Sequence, residues 1–239
     1  MGDVAASDIC LVVDIDETLL NSLPRWAERI NNRYGWSVDV AEIERAGGVD
    51  NFMMGHPDYA AFAAFADGLR ADPDFNVGLD PIDGATEALR ELCGLPNVRL
   101  GCYLTTRPSR VVAATAHDLR RRGFPPAPII ARPFDVPRAH TVEWKVSELE
   151  RLLKDEPGTV VVIDDNLALG RRLRERNHHA ERPIVSIVFL GPLTVPEVRS
   201  AGICSRPEDH FYVAGWNDII GIVHRYAAHG SRAASLGSR

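Results

Sequence analysis

The chain has 239 residues, 45% of them hydrophobic and 25% charged, with a formal net charge of −6. These values suit a soluble globular protein built as one sizeable domain with a smaller insert, and they exclude a chain whose bulk charge is made for nucleic acid or an anionic membrane. No apolar run approaches the roughly 20 residues of a membrane-spanning helix.

Met1 to Asp8 lacks a basic stretch followed by an apolar core, so no secretory signal is expected and the expected compartment is the cytoplasm. Cys10, Cys93, Cys102 and Cys204 show no C-x-x-C spacing, which argues against a zinc or dithiol site. Cys10 and Cys102 sit in apolar runs and read as core thiols. Of the 27 basic residues only Lys145 and Lys154 are lysine. Where arginine is the default cation, a remaining lysine is a candidate for a task that suits a compact ammonium.

Ile9 to Val13 is a nearly continuous apolar run, the pattern of a strand buried on both faces. From Asn21 to Leu79 no strand pattern follows. Trp26, Ile30 and Tyr34 form one helical stripe, and Tyr59, Phe62, Phe65 and Leu69 another, so residues 21–79 are read as a small helical insert spliced in after the first strand. Strand-like runs recur at Val98 to Leu104, Val160 to Ile163 and Ile184 to Leu190, with a weaker one at Ala127 to Ala131. Between them lie helical stripes. Asp83 is placed as the cap of one carrying Ala85, Ala88, Leu89 and Leu92, and Pro108 in the first turn of one carrying Val111, Val112, Thr115 and Leu119. Val142, Val146, Leu149 and Leu152 form another, and Asn217 is placed as the cap of a last helix with Ile219, Ile220, Val223 and Tyr226. Alternating buried strands and helices predict an α/β, doubly wound, Rossmann-like parallel sheet. Residues 1–20 and 80–228 make its catalytic core, and the small polar tail 229–239 is expected to be disordered.

Four polar clusters fall at or just beyond predicted strand ends, where open α/β sheets bind ligands. Asp14 and Asp16 follow the first strand two residues apart. Such a pair suits a nucleophile with a general acid and base, or a hard cation such as Mg²⁺, although acidic residues also commonly start loops. Thr105, with Thr106 able to replace it, ends the second run and is placed to hold phosphate oxygens, or to cap a helix. Lys145 near the start of its helix can neutralise a phosphate and a carboxylate, or lie solvated on the surface. Asp164-Asp165-Asn166 can complete the oxygen shell of Mg²⁺, or cap a helix.

In order, V-V-D-I-D-E-T-L-L, Y-L-T-T-R-P, Lys145 and V-V-I-D-D-N resemble the four motifs of the haloacid dehalogenase-like hydrolases. The resemblance implies Asp14 as nucleophile, Asp16 as acid and base, Thr105 as the phosphate-binding hydroxyl and Lys145 as the third-motif lysine. It implies Mg²⁺ held by Asp14, the backbone carbonyl of Asp16, Asp164 and Asp165. The insert resembles the family's C1-type cap, which helps choose the substrate. The D-E-T and T-x-R spellings are similar to the acid phosphatase branch. Because the family's dehalogenases generally lack an acid at the position of Asp16, the resemblance implies a phosphatase acting on a small phosphorylated substrate such as a nucleotide or sugar phosphate. A phosphotransferase or mutase, or a non-catalytic phosphate-binding regulatory module, is the alternative. Arg107 is a candidate substrate contact or a structural ion pair. Arg25, Trp26, Arg29, Phe52, Met53 and His56 are candidate site-facing residues of the insert. His178-His179 is read as surface, since adjacent helical residues point apart.

Overall fold

The structure is a computed structural model and describes residues 9–54, 56–191 and 209–236, with side chains to residue 228. The strands β1 (Ile9–Val13), β4 (Val98–Pro108), β5 (Ile129–Arg132), β6 (Thr159–Asp164), β7 (Val185–Phe189) and β8 (His210–Val213) form one sheet in the order β5-β4-β1-β6-β7-β8, with parallel neighbours throughout. The chain leaves β1 toward β4 and β5 on one side and returns to β6 on the other. The carboxyl end of β1 therefore lies at a topological switch point, where an α/β sheet leaves a crevice.

The continuous apolar run of β1 follows from burial on both faces. Ile9, Leu11 and Val13 join one core with α6 (Ala85–Cys93), α7 (Val112–Arg121) and α10 (Trp216–Leu236). Cys10 and Val12 join a second core with α8 (Thr141–Asp155) and α9 (Leu167–Asn177). β6 divides in the same way, with Val161 and Ile163 on the first side and Val160 and Val162 on the second. Side chains alternate across a pleated strand, so a central strand with helices above and below carries no polar face. Cys10 and Cys102 are buried as core thiols; Cys204 lies outside the described residues.

After β1 the chain makes one tight turn, in which the amides of Leu19 and Leu20 donate to the carbonyl of Ile15. Glu17 takes the left-handed conformation there (φ 57°). A two-stranded antiparallel ribbon follows, β2 (Leu20–Asn21) with β3 (Asp80–Pro81). Between these strands lie α1 (Leu23–Tyr34), α2 (Val40–Arg45), α3 (Val49–Met53), α4 (Tyr59–Arg70) and α5 (Pro73–Asn76). They pack around a separate cluster that includes Leu23, Trp26, Ile30, Ile43, Met53 and Phe62. The ribbon brings the entry and exit of this helical cap together beside the carboxyl end of β1.

Several elements differ from expectation at their edges. β4 runs on to Pro108, with an irregular register against β5 between Thr105 and Pro108, so Thr105 lies in a strand rather than at a helix start. A 3₁₀ turn at Ser109–Val111 precedes α7, and Pro108 closes the strand instead of opening the helix. Gly84, not Asp83, caps α6, in the left-handed region (φ 75°) where glycine carries no Cβ penalty. α10 begins at Trp216, which places Asn217 in its first turn rather than ahead of it. The same helix continues to Leu236, into residues expected to be disordered; the alanines at 227, 228, 233 and 234 favour helix more than the polar composition suggested. β8 was not anticipated. Four residues reading H-F-Y-V are too short and too polar at the start to stand out.

β8 carries the buried His210, whose ring nitrogens have no hydrogen-bond partner among the described residues. It packs edge to face with Tyr212 and beside Gly170, where an added Cβ would meet the Val188 and His210 side chains. Burial, helped by the nearby Arg174 charge, holds the imidazole down at about 4, below its ordinary 6.5. The unfolded chain therefore binds a proton that the folded chain refuses between these values. Stability should fall as pH drops from about 6.5 toward 4, by up to roughly 3 kcal/mol from this group. Urea unfolding across that range should show a shallower acid slope for His210→Phe than for the wild type.

Candidate active site

Three of the four motifs meet at the carboxyl edge of β1 and β6. The Asp14 amide donates to the Ile163 carbonyl (2.9 Å), which extends the β1–β6 ladder by one residue and aims the carboxylate beyond the sheet. Lys145, on the first turns of α8, is 3% exposed and donates to both Asp14 Oδ1 (2.8 Å) and Asp164 Oδ2 (2.6 Å). Asp164 is fixed from its other oxygen, which accepts from the Asn166 amide (2.9 Å). Asn166 in turn caps α9 by accepting from the Leu169 amide (3.0 Å). Helix capping and site building are here two jobs of one short segment.

Asp14, Asp164 and Asp165 each offer a carboxylate oxygen within 4.8 Å of the others. Burial pushes Asp14 up to about 7, against the pull of Lys145 and with the repulsion of Asp164 and Asp16. Asp165 is also raised well above the usual range, by burial and then by the Asp14 and Asp164 charges. Burial alone would pull the Lys145 ammonium down, but Asp14 and Asp164 hold it up. One lysine thus faces three crowded carboxylates that still repel one another. A hard divalent cation bound by oxygens would relieve that repulsion, and the donor set fits Mg²⁺.

The Asp16 carboxylate stands outside this trio. It accepts two hydrogen bonds from Arg107, at 2.8 Å from Nε and 2.7 Å from Nη2. Arg107 is 3% exposed and also donates to the Asn76 carbonyl (3.0 Å) and to Thr115 Oγ1 (3.1 Å). Its guanidinium therefore ties three things together: Asp16, the last residue of α5 where the chain leaves the cap, and the helix α7. Thr105 is buried and its hydroxyl accepts from the Arg107 amide (3.1 Å), whereas Thr106 is half-buried on the wall of the central cavity. Glu17 accepts from the Ser22 amide (3.0 Å) and hydroxyl (2.5 Å), anchoring the turn after Asp16. Burial raises its carboxyl to about 8, partly opposed by those hydrogen bonds.

The cavity above these residues has a volume of about 820 Å³ and lies between the sheet edge and the cap. Of the insert residues expected to face it, only Trp26 lines it. Arg25 is spent on carbonyls of Asp74, Phe75 and Val77, and Met53 is in the cap core. Arg29 is exposed elsewhere, Phe52 packs on the cap core, and His56 lies against the Trp36 ring. His178 and His179 are exposed, as expected. Sequence reasoning missed Arg45, Asp50, Arg70, Arg138 and Arg171, all on the cavity wall. In a chain with 25 arginines none of them stands out by type or spacing.

The chain matches no protein-family profile and no curated protein sequence. Among solved structures it is similar to a phosphonoacetaldehyde hydrolase-like protein from Oleispira antarctica, with TM-score 0.59 and 13% identity, covering 95% of each chain. It is also similar to protein tyrosine kinase A of Mycobacterium tuberculosis, with TM-score 0.56 and 14% identity, covering 92% of this chain and 99% of that one. The likeness is one of fold, a parallel α/β sheet with a helical insert after its first strand. At these identities the likeness speaks for the fold of the core and cap together. Among the described residues no helix is long and apolar enough to cross a membrane.

Arg107 joins a buried cation to a partly exposed partner (Asp16 is 30% exposed) and to two neutral acceptors. Arg107→Met should lower the unfolding free energy by about 2–4 kcal/mol, because Asp16 and the Asn76 carbonyl lose their donors together. Urea denaturation with and without the substitution measures this directly.

Proposed function

We propose that the protein is a Mg²⁺-dependent phosphatase that hydrolyses a small phosphate monoester through an aspartyl phosphate on Asp14. The observation that carries this reading is the buried Lys145 bridging Asp14 and Asp164, with Asp165 beside them, at the floor of a capped cavity. Asp14 Oδ attacks phosphorus in line, the bond from phosphorus to the ester oxygen breaks, and Asp16 gives that oxygen a proton. Asp16 then takes a proton from water, whose oxygen attacks phosphorus and returns the Asp14 carboxylate. Arg107 holds Asp16 in one orientation through both steps. Lys145 offsets negative charge on Asp14 and on the phosphoryl oxygens. Of the two threonines, the phosphate contact is assigned to Thr106, since the Thr105 hydroxyl is buried beneath the Arg107 amide. Mg²⁺, held by Asp14, Asp164, Asp165 and the Asp16 carbonyl, supplies electrostatic stabilisation of the phosphoryl group when bound. The proposed setting is the cytoplasm.

Release of inorganic phosphate from a panel of nucleotide and sugar phosphates, with Mg²⁺ and with EDTA, tests this reading. Activity should require the metal and fall by at least about 1,000-fold in Asp14→Asn, with circular dichroism unchanged. Near-normal turnover in a clean preparation of that variant would remove Asp14 as the nucleophile. Transfer of phosphate to an added alcohol instead of water would favour the phosphotransferase reading. Asp164→Asn should raise the Mg²⁺ concentration for half-maximal activity about tenfold or more. An unchanged titration would move the metal away from the fourth motif.

A further inference from the structure

The cap side of the cavity has a charge pattern that the chemistry at Asp14 does not use. Arg45 and Arg70 come from the cap and Arg138 from the core, and all three line the cavity with Asp50 as the one acidic residue among them. Asp50 accepts from Arg70 (3.2 Å) and from Arg138. The three guanidinium groups outnumber the two carboxylates paired with them, Asp50 and, beside Arg70, Asp67. Arg45 is exposed, and its side chain makes no hydrogen bond or ion pair among the described residues. Arg70 is further held with its guanidinium 4.7 Å from the Trp26 ring, and its outward side lies 4.0 Å from Asp67. Fixed, planar guanidinium groups are made for bidentate contact with carboxylate or phosphate oxygens.

One stretch of chain links this group to the reaction centre. Arg138 precedes Lys145 by seven residues, across a short 3₁₀ turn and the first turns of α8.

We propose that Arg45, Arg70 and Arg138 form a second oxyanion subsite, and that the substrate carries a carboxylate or second phosphate besides the transferred phosphoryl group. This rests on the phosphatase reading for the first site. Asp50 sets the orientation of Arg70 and Arg138 and keeps the subsite from attracting anions indiscriminately. Because Arg45 and Arg70 belong to the cap and Arg138 to the core, an anion received here also contacts both bodies at once.

Binding can be read without turnover by using phosphonates, whose carbon–phosphorus bond is not a hydrolysable ester. Calorimetry on the full chain with Mg²⁺ would compare n-hexylphosphonate, the same chain ending in a carboxylate, and the same chain ending in a second phosphonate. The doubly anionic ligands should bind about tenfold tighter or better, as expected for charge-assisted hydrogen bonds. In Arg45→Ala, which changes an exposed side chain, that preference should shrink to within about twofold, and Arg45→Lys should keep part of it. The larger of the two gains tells a carboxylate from a phosphate. Equal affinities for all three ligands, no binding of any, or a preference untouched in Arg45→Ala would overturn the subsite. Phosphate release from the ester panel decides the phosphatase reading separately, so the two can fail independently.

Discussion

The buried ammonium of Lys145 is the interaction on which the site depends. Two carboxylates, Asp14 and Asp164, approach it from adjacent strand ends, and Asp165 crowds the same space. Without a cation between them, three acids in a low-dielectric crevice would repel one another strongly enough to disfavour this packing. With it, β1, β6 and α8 are pinned at one point. The same constraint explains why a lysine stands here in an arginine-rich chain. Its compact charge can sit between two carboxylates, whereas a planar fork suits one bidentate partner.

Arg107 shows the contrasting solution. It meets a single carboxylate, Asp16, side by side, and spends its remaining donors on Thr115 and on the Asn76 carbonyl at the cap's exit. The cap's position is thereby coupled to the residue assigned to proton transfer. A second coupling is the Asp50–Arg138 pair, which joins the first turn of the cap helix α3 to the 3₁₀ turn just before α8. Lys145 on α8 and Arg138 in the 3₁₀ turn that leads into it both line the cavity, so one short stretch of chain serves both.

Much of the core was legible because burial writes itself into composition. Ile9–Val13 and Thr159–Asp164 are sandwiched between helices, so their residues must be apolar on both faces and the runs are visible. The two stripes at Trp26 and Tyr59 marked the insert for the same reason: its helices bury one side each around Phe62 and Ile30. β8 and the end of β4 were not legible. An edge strand with one partner needs little apolar sequence, and the extension of β4 to Pro108 depends on an irregular pairing with β5 that no local pattern encodes.

At the site, the sequence alone determined that carboxylates would end β1 and β6 and that a lysine and threonines would stand near them, because a strand end is a local property and the order of strands constrains where their ends gather. Tertiary structure alone decided which of the two threonines lines the cavity, since Thr105 and Thr106 differ by one step of the pleat, and which partner Arg107 takes across 91 positions of chain. It also decided that Arg45, Arg70 and Arg138 line one cavity. Those arginines belong to three separate segments, and the distance between their side chains is set by how the cap docks on the sheet, a relation that exists only once both bodies are folded.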